Sequence, residues 1–400
     1  MKLCYIVYRE DNVMIFDSQV LEYLQNLKKQ SEIEEIVLVL FRHEQNLFRK
    51  EKVETKIHIF VDQCKTFCSF PVLSMTQLNL NVRRLKRYVM KHYAKMDQIA
   101  VICRGDLAAY LGVKAFKEFP NSRVLYDNRG LSIEESEMTY GNQLIHRINR
   151  EKKRKALMYA KSHCDMYNFV TSPMRDFFID KYGYDEQLPY TIIPTLYRSE
   201  EVDEEGLQVI KERENYSDHD YIVSYIGSTA AWQSTEQLVQ LIKKLGSIAP
   251  QVRFFILTNG QIPELETLSE ALKCRITVKA VPHCEIKYYL RLSNIGIIIR
   301  DNNIVNKVAA PTKIAEYLTN GIRILYSGDI GVITDLKNGA ASTLLIDLGT
   351  DEEWVSKIED DIRNSKKHVN EQITAFFDMD IKQNETITMF KKGFNNKKIG

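Results

Sequence analysis

The segment from residue 295 to residue 328 constrains the fold most strongly. It reads IGIIIRDNNIVNKVAAPTKIAEYLTNGIRILYSG and places a helical pattern between two short apolar runs. The first run ends at Arg300, and the pair Pro311 and Thr312 opens the predicted helix. A strand, a helix and a second strand in this order are typical of a parallel βαβ unit. The segment therefore predicts an α/β fold, whose ligands bind beyond the carboxyl ends of the strands.

Charged residues in the same segment predict an anion site followed by a sugar site. Arg300, Lys307 and Lys313 supply positive charge, and the start of the helix supplies free backbone N–H groups and a favourable dipole. Glu316 lies about one turn further along the same face, where a carboxylate suits hydroxyl groups. Together these residues predict a clamp for a nucleotide diphosphate and its ribose. The alternative is an ordinary amphipathic helix whose charged side chains face solvent. It would account for Lys313 or Glu316 if either residue were considered without the rest of the segment.

Apolar runs and helical patterns alternate along most of the 400 residues, which is long for a single core. The first half contains KLCYIVY, IEEIVLVLF, QIAVICR, RVLYD and MYNFVT, and the second contains YIVSYIG, VRFFILT, RITVKAV, IGIIIR and RILYS. Long helices are predicted for residues 133–164, 353–362 and 371–392. The first domain should end near Pro194, because acidic RSEEVDEEG, with no clear pattern, follows. We therefore expect two doubly wound domains.

The run PTKIAEYLTNG resembles the donor-binding core of the family 4 retaining glycosyltransferases, in the branch that assembles bacterial capsules and surface polysaccharides. Other segments match that family's pattern in the expected order: VICRGDLAAYLG, RVLYDNRGLSIEE, YNFVTSPMRDFFIDKYGY, YIGSTAAWQSTEQLVQLI, RFFILTNGQ and ITVKAVPHCEIKYYLRLSNIGIII. The resemblance implies the GT-B architecture, two Rossmann-like domains facing across a cleft. Residues 1–195 would bind the acceptor and residues 196–372 the donor, and residues 373–400 would form a helix crossing back to the first domain.

The resemblance also implies a reaction. A sugar would pass from a UDP- or GDP-linked donor to a hydroxyl of a glycan or polyprenyl-linked acceptor, with retention at the anomeric carbon, as in a hexosyltransferase of surface polysaccharide synthesis. Electrostatic stabilisation of the departing diphosphate would drive catalysis. Two alternatives stay open: a degenerate partner subunit that binds nucleotide or glycan, and a sugar-nucleotide epimerase.

Further donor-site candidates follow strands of the second half. Gly227 and Ser228 could bring backbone amides to the diphosphate, or form a plain turn. Trp232 could wall the site or belong to the core. His283 lies where relatives place the nucleotide base, although a lone exposed histidine is as often without a role.

The chain departs from the family pattern at two places. Many relatives carry an arginine and a lysine after the glycine at Gly227, but this chain has no cation there. Many also use two glutamates eight positions apart, of which Glu316 matches the second, whereas Val308 stands at the first. Valine cannot hydrogen-bond a sugar hydroxyl, so the contacts that select the donor sugar must differ.

Candidate acceptor-side residues follow two strands of the first half. Arg104 and Asp106 come after one strand, and Asp127 and Arg129 after the next. Buried charges of this kind must pair or bind a ligand. We interpret Asp127 and Arg129 as acceptor-positioning or reacting groups, with Arg300 and Lys307 as the other catalytic candidates. The alternative is a structural Asp–Arg network that holds the loops.

No metal and no cofactor are expected besides the nucleotide-sugar co-substrate. The two D-x-D pairs, at residues 218–220 and 378–380, do not follow a strand as a metal-bound nucleotide-sugar site would. Seven cysteines without framework spacing favour reduced thiols.

Two basic stretches, residues 83–93 and 147–155, interleave cations with apolar residues on predicted helices. Such helices can bind the surface of an anionic membrane, and each cation contributes about 1 kcal/mol of binding free energy. This location would suit a lipid-linked acceptor. The alternative to membrane contact is a helical face exposed to solvent. Binding of nucleic acid is disfavoured by the net charge of only +2. No apolar run approaches the ~20 residues of a membrane span, and the first residues do not resemble a signal peptide. We therefore expect a cytoplasmic protein and leave open a peripheral association with the inner face of the membrane.

Overall fold

The computed structural model describes residues 1–10, 12–42, 57–69, 74–227, 235–337, 342–349, 353–364 and 369–396. The chain divides into two compact units. The first comprises Met1–Pro194 with Met379–Gly400, and the second comprises Thr195–Asp378. Each unit is built on its own sheet.

The first unit contains a seven-stranded parallel sheet in the order β3-β2-β1-β4-β5-β6-β7. Its strands are β1 (Lys2–Tyr8), β2 (Glu35–Arg42), β3 (Gln63–Cys68), β4 (Ile99–Arg104), β5 (Ser122–Asp127), β6 (Met166–Phe169) and β7 (Tyr190–Ile192). Its helices up to Pro194 include α1 (Val13–Phe16), α2 (Glu22–Leu27), α3 (Met75–His92), α4 (Asp106–Phe116), α5 (Ser132–Tyr140), α6 (Leu144–Lys161) and α7 (Ser172–Tyr182). The central strands read as continuous apolar runs because helices cover both faces of a parallel sheet.

The second unit contains a six-stranded parallel sheet in the order β10-β9-β8-β11-β12-β13. Its strands are β8 (Tyr221–Ile226), β9 (Val252–Leu257), β10 (Ile276–Lys279), β11 (Ile295–Ile299), β12 (Arg323–Ser327) and β13 (Leu345–Asp347). Its helices include α8 (Glu204–Arg213), α9 (Thr235–Ile248), α10 (Glu270–Lys273), α11 (Ile286–Leu292), α12 (Ile304–Lys307), α13 (Thr312–Thr319), α14 (Gly331–Lys337), α15 (Glu353–Asn364) and α16 (Glu371–Phe377). Alternate residues of β8 enter two separate apolar clusters, one on each face of the sheet.

The last helix, α17 (Met379–Asn396), belongs to the first unit. Arg123 on β5 donates from Nε to the Gly393 carbonyl at 2.8 Å. Asn26 on α2 donates from Nδ2 to Oε1 of Gln383 at 3.0 Å. The second unit runs to Asp378 and so includes all of α16, whereas the second domain was expected to end at residue 372.

Several helix boundaries differ from the sequence prediction for identifiable reasons. The helix predicted for residues 133–164 is two helices, because Gly141, at a φ of +53°, ends α5. The helix predicted for residues 371–392 is interrupted at Asp378, whose extended backbone separates α16 from α17. The acidic stretch after Pro194 is not structureless throughout, because Asp203 accepts a hydrogen bond from the Gly206 N–H and caps α8.

Candidate functional site

Arg300 lies directly after β11 at the carboxyl edge of the second sheet. Its side chain is mostly buried, and burial lowers the pKa of its guanidinium, against a smaller opposing effect of Tyr225. Within the described parts of the chain, no hydrogen bond or ion pair engages this side chain. A buried arginine of this kind carries a desolvation penalty that an anionic ligand would relieve.

The loops that follow β11 and β12 approach each other closely beside Arg300. Gly328 has a φ of +81°, and a Cβ atom there would lie 2.3 Å from the Arg300 carbonyl oxygen. Lys307 closes α12, whose Asn303 cap accepts from the Asn306 N–H at 3.0 Å. From there its Nζ reaches a carboxylate oxygen of Asp329 at 3.2 Å. The structure thus places Arg300 and Lys307 in the short segment that follows β11, with Lys307 at the end of the helical turn α12.

Helix α13 contacts β8 and β11 through Tyr317, in its second half. The buried Tyr317 hydroxyl accepts a hydrogen bond from the Ile226 N–H at 3.0 Å and donates to the Ser224 carbonyl at 3.3 Å. Its ring lies flat against β11 at Gly296, where a Cβ atom would lie 2.3 Å from the ring. One tyrosine in the second half of α13 therefore contacts both the end of β8 and the beginning of β11.

Lys313 and Glu316 pair with each other at the start of α13. The Lys313 Nζ donates to Glu316 Oε2 at 2.6 Å, and the Glu316 side chain is 9% exposed. The expected common face of α13 is therefore present. The structure adds that the two charges compensate each other, so a diphosphate would compete with Glu316 for Lys313. Pro311 and Thr312 begin the helix as expected, and the cap position makes no side-chain hydrogen bond.

The remaining donor-site candidates lie at different places. Gly227 donates its own N–H to the Leu257 carbonyl at 3.1 Å, so that amide is engaged within the sheet. Ser228 and Trp232 lie outside the described residues. His283 is exposed in the short helical turn after β10, and no hydrogen bond or ion pair in the described chain joins it to Arg300, Lys307 or Lys313. Val308 is only 2% exposed.

Sequence reasoning missed two residues beside Arg300. Tyr225, on β8, is buried, and burial raises its pKa to about 12, with Arg300 acting in the opposite direction. Ser327 is the register partner of Ile299, and its buried Oγ has no hydrogen-bond partner in the described structure. Ser327 directly precedes Gly328, and Tyr225 lies two residues before Gly227. A glycine just after the strand is the one signal that could have drawn attention to them.

In the first unit, Asp127 organises a buried cluster at the end of β5. Its carboxylate accepts from Arg129 Nε at 2.9 Å and from Asn168 Nδ2 at 2.6 Å, and the Tyr5 hydroxyl lies at 3.5 Å. Arg104 is its register partner on β4, with Nη1 at 3.9 Å. Asp127 is 2% exposed and Arg104 is 8% exposed. The expected meeting of Arg104, Asp127 and Arg129 is therefore present.

The arginines of this cluster have further protein partners. Arg129 donates from Nη1 to the carbonyls of Ile193 and Pro194 at 3.4 Å. Burial lowers its pKa, but the charge of Asp127, its hydrogen bond and the hydroxyls of Tyr5 and Tyr23 together raise the pKa overall. Arg104 donates from Nη2 to Oε1 of Gln19 at 2.8 Å. This is the geometry of the structural network that the sequence left open as the alternative.

Asp106 lies apart from that cluster. The Tyr126 hydroxyl donates to one of its oxygens and the Ser132 hydroxyl to the other, the latter at 2.5 Å. Burial raises the pKa of its carboxyl group. Asp106 thus joins the start of α4 to β5 and α5, and both of its oxygens are occupied by protein donors.

Glu135 was not anticipated from the sequence. A Cβ atom on Gly130 would lie 2.7 Å from its Oε1, so the carboxylate covers the turn that follows Arg129. Burial of the carboxylate raises its pKa, and the charge of Lys153 opposes that rise. In the described ranges, no group of three or more His, Cys, Asp or Glu residues is arranged to hold a metal ion.

Two Rossmann-like units, each a parallel sheet with helices on both faces, define the class of the fold, which is the GT-B fold. The fold-class prediction is confirmed. Among solved structures, the chain is similar to a glycosyltransferase from Rickettsia africae ESF-5, at 14% identity over 99% of both chains with a TM-score of 0.63. It is also similar to HepE from Anabaena in complex with UDP, at 12% identity over 97% of this chain and 99% of that chain with a TM-score of 0.65.

A UDP-N-acetylglucosamine 2-epimerase has the same fold at 12% identity, over 98% of this chain and 90% of that chain, with a TM-score of 0.50. No family model matches the sequence, and no curated protein matches it. At these identities the likeness establishes the fold, and the chemistry must be argued from the site.

Proposed function

We propose that this protein is a glycosyltransferase that takes a sugar from a UDP- or GDP-linked donor. The observation that carries the proposal is Arg300, a mostly buried cation at a strand end with no anionic partner in the described chain. Helix α12, which carries Lys307, and the start of α13, which carries Lys313, provide further cations, although Lys307 pairs with Asp329 and Lys313 with Glu316. A diphosphate would supply the negative charge that Arg300 lacks and would compete with these carboxylates for the two lysines. UDP bound to the structurally similar HepE is consistent with this choice.

In the proposed mechanism, the second unit binds the donor and the first unit binds the acceptor. Arg300, Lys307 and Lys313 stabilise the charge that develops on the diphosphate as the anomeric C–O bond breaks. Glu316 hydrogen-bonds the ribose. The acceptor hydroxyl attacks the same face of the sugar and gives its proton to the departing phosphate oxygen, so the configuration is retained. Protein cations take the role of a metal, and no cofactor takes part.

On the acceptor side, Arg129 and Asp127 fix the turn that presents the acceptor. Arg104 and Asp106 support the same edge from β4 and the start of α4. We propose a glycan or lipid-linked glycan as acceptor, in surface polysaccharide synthesis of the family 4 type, at the inner face of the membrane.

The surface of α6 supports that location. Leu144, Ile145 and Ile148 are 62%, 64% and 43% exposed, and Arg147 lies among them. Apolar side chains flanked by cations suit the interface of an anionic membrane. No helix in the described parts of the chain is long and apolar enough to cross a bilayer.

The test is a panel of nucleotide sugars incubated with the purified protein, with release of nucleoside diphosphate measured by mass spectrometry. One donor should be hydrolysed slowly without acceptor, and Arg300→Met should reduce that release about 100-fold. If no donor is bound or hydrolysed by the wild-type protein, the enzyme assignment is wrong.

A second candidate function, a sugar-nucleotide epimerase, is favoured by the fold shared with the 2-epimerase. An epimerase would convert the sugar nucleotide into its epimer in the same panel. Donor binding without any product would instead indicate the degenerate partner, for which the buried Val308 in place of a glutamate is the supporting observation.

A further inference from the structure

The first sheet has a topological switch point between β1 and β4. Successive strands lead from β1 to β2 and β3 on one side, and from β4 to β5 and β6 on the other. Because the crossovers of parallel strands are right-handed, the helices after β1 and after β4 cover opposite faces of the sheet and leave a crevice between them. Ligands of parallel sheets bind in such a crevice, at the carboxyl ends of the strands.

The backbone around this crevice departs from regular geometry at three places. Arg9, directly after β1, has a φ of +58°, which is a strained value for a residue other than glycine. A single π-helical turn, Asp17–Leu21, joins α1 to α2. Gly105, directly after β4, has a φ of +84°, and a Cβ atom on it would meet no atom of the described chain within 4 Å. Such features are frequent at functional sites, and they make the crevice a candidate for ligand binding.

Arg104 joins the two sides of the crevice. It ends β4, and it is 8% exposed. Its Nη2 donates to Oε1 of Gln19, in the π-helical turn, at 2.8 Å. Its Nε lies 3.6 Å from a carboxylate oxygen of Glu10, and its Nη1 lies 3.9 Å from a carboxylate oxygen of Asp127. Two carboxylates therefore compensate the charge of Arg104, which, unlike Arg300, does not require an anionic ligand.

The contact with Arg104 fixes the orientation of the Gln19 amide. A guanidinium only donates hydrogen bonds, so the amide oxygen of Gln19 faces Arg104 and its NH₂ group is directed elsewhere. Gln19 is partly exposed, and no acceptor in the described chain takes a hydrogen bond from this NH₂ group. Glu10, whose side chain is 23% exposed, contacts the same guanidinium. The crevice thus contains hydrogen-bond donors on Gln19 and a carboxylate acceptor on Glu10, both next to Arg104.

We propose that Gln19 and Glu10 bind a hydroxyl group of a neutral acceptor sugar. A hydroxyl both accepts and donates hydrogen bonds, so it can accept from Gln19 Nε2 and donate to the Glu10 carboxylate. An anionic group would instead be repelled by Glu10. Binding of a sugar in the crevice stands on this geometry, whereas the assignment of that sugar as the acceptor rests on the proposed function.

The test is saturation-transfer NMR with the methyl glycosides of glucose, galactose and mannose, with UDP present to occupy the donor site. The variant is Gln19→Glu, which keeps an oxygen for Arg104 but replaces the NH₂ group with a second oxygen. At least one neutral glycoside should bind the wild-type protein, and Gln19→Glu should weaken its binding about tenfold because a hydrogen-bond donor is lost.

Two controls separate binding from structure and from charge. Urea denaturation of Gln19→Glu should show no loss of stability, because the new carboxylate still pairs with Arg104. Gln25→Glu, at an exposed position of α2, introduces the same charge and should bind the glycoside as the wild type does. The uronic acid that corresponds to the bound glycoside should bind more weakly, because Glu10 repels its carboxylate.

Three results would overturn the proposal. They are the absence of binding of any neutral glycoside, an equal effect of Gln19→Glu and Gln25→Glu, and a uronic acid that binds as tightly as its neutral counterpart. Donor hydrolysis by the wild-type protein tests the proposed function separately. Hydrolysis without glycoside binding would remove the crevice site alone. Glycoside binding that Gln19→Glu weakens, without any donor turnover, would remove the enzyme assignment alone.

Discussion

The two units carry arginines at the same place, the carboxyl edge of a parallel sheet, but treat their charges differently. In the first unit, Arg129 donates to a buried Asp127 and to two backbone carbonyls. In the second unit, Arg300 has no such partner within the described ranges, and burial lowers its pKa. The first arrangement is complete without a ligand, whereas the second needs an anion.

Whether a buried arginine is paired with a carboxylate of the protein therefore distinguishes a structural role from a ligand-binding role. Its charge and its position at the sheet edge do not, because both arginines share them. Buried ion pairs are costly to break but contribute little net stability when intact. An unpaired buried cation is retained against its desolvation penalty. We therefore expect substitutions in the Asp127 cluster to act on folding first, and substitutions at Arg300 to act on ligand binding first.

The largest expected effect is that of Asp127→Asn. The change removes the counter-charge of Arg129 and Arg104, so the free energy of unfolding should fall by about 3–5 kcal/mol. Urea denaturation measures it, and Asp360→Asn on the exposed face of α15 should change it by less than about 0.5 kcal/mol. A stable Asp127→Asn protein without donor turnover would break the comparison and assign Asp127 to the chemistry.

Arg300→Met should have the opposite profile. Its kcat/KM for the donor should fall about 100-fold, as when one donor to a developing oxyanion is removed. Its free energy of unfolding should stay within about 1 kcal/mol of the wild type or rise, because a buried unpaired charge is lost. Steady-state kinetics and urea denaturation on the same preparation measure both, with the exposed Arg363→Met as control. Loss of stability with unchanged kcat/KM would give Arg300 a structural role.

Substitutions of the Lys313–Glu316 pair sharpen the assignment within α13. Lys313→Met should weaken binding of both UDP and inorganic pyrophosphate about tenfold. Glu316→Gln should weaken UDP by a similar factor but not pyrophosphate, because its proposed partner is the ribose. Calorimetric titrations with both ligands test this. Equal effects of Glu316→Gln on both ligands would show that it acts only by holding Lys313.

The smallest effect concerns Lys152 and pH. Its pKa is lowered from 10.5 to about 8 in the folded protein. Between these values the unfolded chain holds a proton that the folded protein has lost, so the free energy of unfolding should rise with pH over this window. Partial solvation limits the gain to the order of 1 kcal/mol. Lys152→Met should remove this rise in urea denaturations at pH 7.5 and 9.5, and an unchanged slope would assign it to other groups.

The sequence predicted the elements that local pattern determines. The strands ending at Arg104 and Asp127 were recognised as apolar runs, and parallel pairing then made these two residues register partners. The start of α13 at Pro311 and Thr312 followed from its proline.

The features that could not be predicted from the sequence mostly depend on contacts between residues that are far apart in the chain. The partners of Asp127 include Asn168 and Tyr5, which come from other strands. β3 was missed because, in QCKTFC, polar residues interrupt the apolar ones on an edge strand. The pairing of Lys313 with Glu316 was missed because both residues were assigned to a ligand, and the geometry shows that each can also neutralise the other.

The central claim, that unpaired Arg300 marks a diphosphate site, is tested most directly by calorimetric titration of UDP against UMP and of GDP against GMP. We predict that the wild-type protein binds one diphosphate about tenfold more tightly than its monophosphate, and that Arg300→Met loses this margin while its affinity for the monophosphate is unchanged. A margin that survives Arg300→Met would contradict the claim.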